Sequence, residues 1–273
     1  MLTRILVSVA LLPLLAFVLY FAPDWVLPVA IALISAWTAI ELLLSTGLVK
    51  KKRLAGFAAV MAFGVPFWCW AGMPAQIGVA GLFGLVLLLS TEAITDHEHI
   101  TFSQITAALF AAAIIPLFFS SLIRIMALDA GRYLILLPFL AAFGSDIFAL
   151  FTGKYLGRHP LAPAVSPKKT AEGAMGGLLG ALLFAAVYRV ALEAFFQTAL
   201  PWIPLLLTAL TGAAVSQLGG LSFSLVKREQ GVKDFGRLLP GHGGLLDRFD
   251  SLLFAAPAVE LCLMLWPLLG WRP

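Results

Sequence analysis

Residues 133–152 read YLILLPFLAAFGSDIFALFT, and Asp146 is the single charge among them. A helix of this length, rising 1.5 Å per residue, covers the roughly 30 Å hydrocarbon core of a bilayer. Runs of the same character lie at about 5–22, 25–46, 54–72, 76–91, 105–123, 174–197, 202–222 and 249–269, nine with the one quoted. Composition agrees: 61% of the 273 residues are hydrophobic and 12% charged, where soluble domains carry roughly 25% charge, and mean hydropathy is +1.00. The expected fold is an all-α polytopic membrane protein, a single membrane domain over 1–273 with about nine transmembrane helices and no separate soluble domain. Long uninterrupted runs, in place of alternating strands of about ten residues, exclude a transmembrane barrel. Run 5–22 imitates a signal peptide, but no small-residue cleavage site precedes Pro23 and Asp24, so it is read as a retained span. Cys69 and Cys262 sit far apart in apolar runs, which supports neither a disulfide framework nor a thiolate metal site.

The net charge of +4 does not describe a nucleic-acid face, because the basic residues are confined to short loops between apolar runs. Assigning loops to alternate sides of nine spans puts fourteen on one side: Arg4, Lys50, Lys51, Lys52, Arg53, Lys154, Arg158, Lys168, Lys169, Lys227, Arg228, Lys233, Arg237 and Arg248. The other side holds four: Arg124, Arg132, Arg189 and Arg272. By the positive-inside rule the N-terminus and the long basic loops are expected to be cytoplasmic, in a multi-pass protein of the inner (plasma) membrane. The run at 50–53 is read as a topology anchor.

Two segments on that side are richer than topology requires: GKYLGRHPLAPAVSPKKTAEGAMGG at 153–177 and SLVKREQGVKDFGRLLPGHGGLLDRFD at 224–250. Glycine permits close backbone approach and N–H donation, Lys and Arg neutralise phosphate, and carboxylates hold a divalent cation. Asp247 and Asp250, three apart where a span begins, project from one helical face and could share a cation. Arg248 between them could take a phosphate in bidentate fashion. Lys227, Arg228 and Lys233 are phosphate-clamp candidates, and Gly241, Gly243 and Gly244 could form an N–H cradle with His242 as donor. The bland alternatives are membrane anchoring for Lys227 and Arg228, and for Asp247, Arg248 and Asp250 an interfacial salt-bridge cluster worth about 0–1 kcal/mol. Three charges in four residues beside an apolar run are costly, which favours function. Ser166 and Pro167 read as the N-cap and first residue of the seventh span.

The spacing Ser224-x-x-Lys227-Arg228-x4-Lys233-Asp234, then Pro240-Gly241-His242-Gly243-Gly244-x-x-Asp247-Arg248-x-Asp250, resembles the signature of phosphatidate cytidylyltransferases (CDP-diacylglycerol synthases). The earlier segment is similar to that family's other stretch through Asp146, Gly153, Lys154, Gly157, Arg158, Leu161, Ala162, Pro163, Ser166, Pro167, Lys169, Thr170, Glu172 and Gly173. The resemblance covers about 140–256 and implies a catalytic half over 136–273, with motif segments 144–177 and 216–250, behind N-terminal spans in 1–135. It implies the reaction CTP + phosphatidate → CDP-diacylglycerol + diphosphate with Mg²⁺, a second cation and a homodimer being left open. The implied catalytic residues are Lys227, Arg228, Lys233, Asp234, His242 and Arg248. Implied substrate contacts are Lys154, Arg158, Ser166, Lys169, Thr170, Ser224, Gly241, Gly243 and Gly244, and the implied metal ligands are Asp146, Asp247 and Asp250.

Two departures stand out. Where the family reads G-D-L-x-E-S, this chain has Gly220 for the Asp and Phe223 for the Glu, and Asp146 is followed by Ile147, Phe148, Ala149 and Leu150 instead of small residues and Tyr. The alternative to the enzyme is therefore a catalytically altered or inactive homologue acting as a lipid-binding or transport protein. Among the remaining polar residues, Glu92, Asp96, His97, Glu98 and His99 lack the i,i+4 His pair of a helical zinc site and read as a solvated loop. Arg189 and Glu193 can neutralise each other inside a span, and Glu41 and Glu260, lone acids in apolar runs, are expected to face the bundle interior.

Overall fold

A computed structural model of the chain describes residues 23–236, 238 and 243–271. Eight helices among the described residues are long and apolar enough to cross a membrane: α1 (Val26–Ser45), α2 (Lys52–Trp70), α3 (Ala75–Thr95), α4 (Phe102–Met126), α5 (Gly131–Leu156), α6 (Ala171–Phe196), α7 (Trp202–Glu229) and α8 (Leu246–Leu269). They match eight of the nine expected spans, and the remaining one, 5–22, lies outside the described residues. The protein is a multi-pass, all-α membrane protein.

The helices fall into two units. One comprises α1, α2, α3, most of α4 and the segment Gln230–Arg248. Its core is made by α1 packing on α2, through Ala32, Ala39, Leu42 and Leu43 on the first and Leu54, Ala55, Ala58 and Ala62 on the second. α3 presents Ile77, Val79, Phe83, Leu87, Leu88 and Ile94 outward. For a helix in a bilayer that is a lipid-facing surface, costing none of what it would cost in water. α1 ends in a π-helical turn, Glu41–Ser45.

The second unit comprises Ile125–Glu229 and Phe249–Pro273. Here α5 and α6 approach closely because α6 presents the buried Gly173, Gly176, Gly177 and Gly180 along one face. A side chain on Gly176 would collide with Thr152, one on Gly177 with Ser145, and one on Gly180 with Phe148. Helices in lipid associate through such van der Waals fit, since lipid supplies no hydrophobic drive. Between the two helices runs an antiparallel hairpin, β1 (Pro160–Ala162) with β2 (Ser166–Thr170), paired Pro160 to Thr170 and Ala162 to Ser166. Pro160, Pro163 and Pro167 keep this stretch out of a helix. The expectation that Ser166 and Pro167 start the helix is therefore corrected: both lie in β2, and the N-cap is Thr170, whose hydroxyl accepts from Gly173 N at 3.1 Å.

The glycine seam is testable by volume. Gly180→Val, which would drive methyls into Phe148, should cost on the order of 1–3 kcal/mol, whereas Gly84→Ala, with nothing within 4 Å of the added carbon, should be close to neutral. Unfolding titrations in mixed detergent micelles read the difference.

Candidate active site

In the first unit, residues 235–236 and 243–247 come together at two carboxylates. Asp247, in the first turn of α8, accepts on Oδ2 from Phe235 N at 2.8 Å and from Gly244 N at 2.9 Å. Phe235 has its side chain fully buried, so the start of the loop is anchored by packing as well. The second carboxylate is Glu41, 5% exposed, which accepts from Leu246 N at 2.9 Å on Oε2 and from Trp37 Nε1 at 3.0 Å on Oε1. The backbones of Gly236 and Gly244 lie so close to Glu41 that a side chain on either would overlap its carboxylate. Gly243 adopts φ +84°, the left-handed region, and lies beside Asp234 and Asp247. Lys233, Asp234 and Arg248 are exposed. Gly241 and His242 lie outside the described residues.

The helix start explains the part played by Glu41. The first N–H groups of a helix have no intrahelical acceptor. Asp247 turns back to Gly244 N and Phe235 N, and Glu41 takes Leu246 N from another span. Anionic acceptors at a helix N-terminus are favoured by the helix dipole as well.

The second unit holds the remaining candidates. Gln217 of α7 donates to Ser145 Oγ at 2.9 Å and to Ala174 O at 3.0 Å, tying α7 to α5 and α6 one residue from Asp146. Asp146 itself is exposed, as is Lys154, whose ammonium lies 5.4 Å from the Tyr155 ring centroid. Glu172 accepts from Arg158 N at 3.0 Å, His159 N at 3.2 Å and His159 Nδ1 at 2.5 Å, and so fixes the turn entering β1. Arg228 donates from Nε to Val165 O at 3.2 Å, which ties the hairpin tip to the end of α7 near Lys227. Ser224 Oγ donates to Gly220 O at 2.6 Å. Asp250 accepts on Oδ1 from Ser251 N at 2.7 Å.

The two departures acquire a physical content here. A Cβ on Gly220 would lie 3.0 Å from Lys169 Nζ and 3.4 Å from Ser251 Oγ, so an acid at 220 would face an ammonium. Phe223 is buried and stacks edge-on against Phe254 of α8, centroids 6.1 Å apart. That contact consolidates α7 against α8 with apolar surface. Among the described residues no three His, Cys, Asp or Glu side chains gather closely enough to hold a metal by themselves. Asp247 and Asp250 in the opening turns of α8 are oxygen donors of the class Mg²⁺ selects, and a site of one or two carboxylates completed by substrate phosphates fits this donor set.

Sequence reasoning identified Glu41 and Glu260 as interior acids, and both are buried, at 5% and 6% exposure. It assigned Glu41 no task. Ser145, Gln217 and Ser251 were missed, because a hydroxyl or amide in an apolar run gives no periodic or charge signal. Arg189 pairs with Glu193 at 2.6 Å as expected. The stretch 92–99 is not simply solvated: Lys51 bonds Asp96 at 2.6 Å and Arg53 meets Glu92 at 3.1 Å. Hydrogen bonds from Lys51 and then His99 hold the Asp96 carboxyl below its usual pKa. The basic run at 50–53 thus has acidic partners at the end of α3 and the loop after it.

A model of the cytidylyltransferase family matches residues 2–266. A phosphatidate cytidylyltransferase of Bacillus subtilis is 40% identical over 182 residues, 66% of each chain. One of Staphylococcus epidermidis is 30% identical over 257 residues, covering 93% of this chain and 96% of the relative. One of Mycobacterium bovis is 31% identical over 269 residues, covering 92% and 84%.

Thr170 ends β2 and caps α6, so its loss should loosen the junction of the two. Thr170→Ala is expected to lower stability by about 1 kcal/mol, and Thr170→Ser, which keeps the acceptor, by much less. Denaturant unfolding of the two variants in the same detergent measures the contrast.

Proposed function

Because the chain belongs to the cytidylyltransferase family, we propose that it transfers the cytidylyl group of CTP to phosphatidate, giving CDP-diacylglycerol and diphosphate. The observation that carries this reading is at Asp247, the carboxylate that opens α8: it accepts from Phe235 N and Gly244 N, so that it is fixed beside the signature residues Lys233, Asp234, Gly243 and Arg248, its neighbours in sequence.

The reaction joins two anions. A phosphate oxygen of phosphatidate forms a bond to the α-phosphorus of CTP, and the bond from that phosphorus to the bridging oxygen of diphosphate breaks. Such a transfer asks the protein mainly for positioning and charge neutralisation. Lys233 and Arg248, both exposed, serve as the cationic contacts, with Lys227 and Arg228 at the end of α7 and Lys154, Arg158 and Lys169 around the hairpin as further phosphate contacts. Ser166, Thr170 and Ser224 contribute hydroxyls, while Gly241, Gly243 and Gly244 leave backbone room for the triphosphate and His242 donates to it. Asp234 completes the loop. Mg²⁺ would be held by Asp247 and Asp250 with Asp146 as further acid, and when bound it neutralises phosphate charge and favours departure of diphosphate. Phosphatidate reaches the site from the bilayer in which the helices sit, and no nucleic acid takes part.

In orientation, the N-terminus and the basic loops lie on the cytoplasmic side of the inner membrane, where CTP is made. The 14:4 distribution of Lys and Arg supports this. A lipid-binding or transport role without chemistry has no specific observation in its favour.

Purified protein supplied with labelled CTP, phosphatidate and Mg²⁺ should form labelled CDP-lipid. Asp247→Asn should abolish detectable product, and Lys233→Ala or Arg248→Ala should lower turnover by roughly 10²-fold with folding nearly unchanged. Full activity in well-folded Lys233→Ala and Arg248→Ala proteins would return both residues to topology. Separately, cysteines introduced beside Lys169 and Lys233 should label from the cytoplasmic side alone, and labelling of the two from opposite faces would dismiss a shared cytoplasmic site.

A further inference from the structure

We propose that Glu41 is a positioning residue for the nucleotidyl-transfer loop: its buried carboxylate, supplied by α1, holds the neck of the segment Phe235–Leu246 and thereby sets where Asp247 and the glycines stand. The proposal rests on the activity inferred above. It concerns a residue outside both motif segments and 205 positions from its main partner.

Four observations meet at this side chain. Glu41 is 5% exposed within an apolar span, and an acid in such a place is costly unless it has work to do. Oε2 accepts from Leu246 N at 2.9 Å, the first residue of α8 and the one before Asp247. Gly236 and Gly244, at the two ends of the loop, both press their backbones against the carboxylate, so closely that neither position tolerates a side chain. The α-helix gives way to a π turn at Glu41 itself, a feature that recurs at functional sites.

Glu41 and Asp247 thus hold the same neck from two sides. Asp247 takes Phe235 N and Gly244 N, and Glu41 takes Leu246 N. If Glu41 is removed, Leu246 N–H loses its acceptor, and the glycines lose the surface they close on. Asp247 then keeps its chemistry but loses its fixed place. A carboxylate is required, since both oxygens accept: Oε2 from Leu246 N and Oε1 from Trp37 Nε1 at 3.0 Å. Glutamine has one acceptor oxygen and must turn its NH₂ toward one of the two donors. Removing the Trp37 donor should therefore relieve E41Q.

The test uses full-length protein in lipid nanodiscs with two readouts, CDP-lipid formation and hydrogen exchange of peptides covering 235–247. E41Q and E41A should lower kcat by about 10- to 100-fold, the range for displacing groups that orient a reacting centre. Both should speed exchange in 235–247 while leaving the peptides of α5 and α6 unchanged. W37F alone should stay close to wild type, and W37F/E41Q should recover part of the turnover and protection lost in E41Q. Unchanged exchange in E41A would overturn the clamp. Faster exchange with undiminished turnover would make Glu41 structural only and overturn its positioning role. A wild-type protein that forms no CDP-lipid would overturn the proposed reaction, whereas the exchange arm would still decide whether Glu41 holds the loop.

Discussion

Within a bilayer every backbone N–H has to find its acceptor in the protein, and the start of a helix is where that demand is hardest to meet. At the start of α8 it is met, for Leu246 N, by a carboxylate, and a second carboxylate serves the loop just before it. Asp247 accepts from the loop that precedes it, and Glu41 reaches the first residue of the helix from α1. The geometry of the signature loop follows from this requirement. Glycines at 236 and 244 are needed because the chain must pass directly against an acid, and Phe235 is buried because the loop is drawn inward there. Asp247, one of the two acids that satisfy the backbone here, is also among the groups proposed to manage phosphate charge.

In the second unit neutral groups tie the elements together. Gln217 joins α5, α6 and α7 through one hydroxyl and one carbonyl, and Thr170 serves strand and helix at once. Hydrogen bonds between neutral partners carry none of the solvation penalty of a charge buried in lipid, so they can lie deeper between helices. Charged groups gather near the hairpin and the end of α7, where Glu172 and Arg228 bond to backbone atoms of Arg158, His159 and Val165, in the stretch between Lys154 and Lys169.

Eight spans were legible because continuous apolar runs leave little choice in lipid, and the family was legible because glycines, bases and acids recur at fixed spacing in 224–250. The start of α6 was misplaced because Ser-Pro is a strong local cap signal. Three prolines and a pairing partner across a tight turn override it, and pairing is not a property of a single segment. Glu41 could be identified as an interior acid from its surroundings, but its partner is a backbone N–H, which every residue except proline possesses. Gly220 read as a lost carboxylate. What faces that position, the Lys169 ammonium, belongs to another segment and is visible only once the hairpin lies against α7.

The glycine face of α6 has a bearing on how this sequence can drift. Gly176 is opposed by Thr152 and Gly180 by Phe148, so the room at each place is divided between two spans. Neither partner can grow alone, but a larger residue on α6 becomes acceptable once its opposite on α5 has shrunk. The two helices are therefore expected to vary as matched pairs, with substitution energies that fail to add across the seam and do add for sites well removed from it.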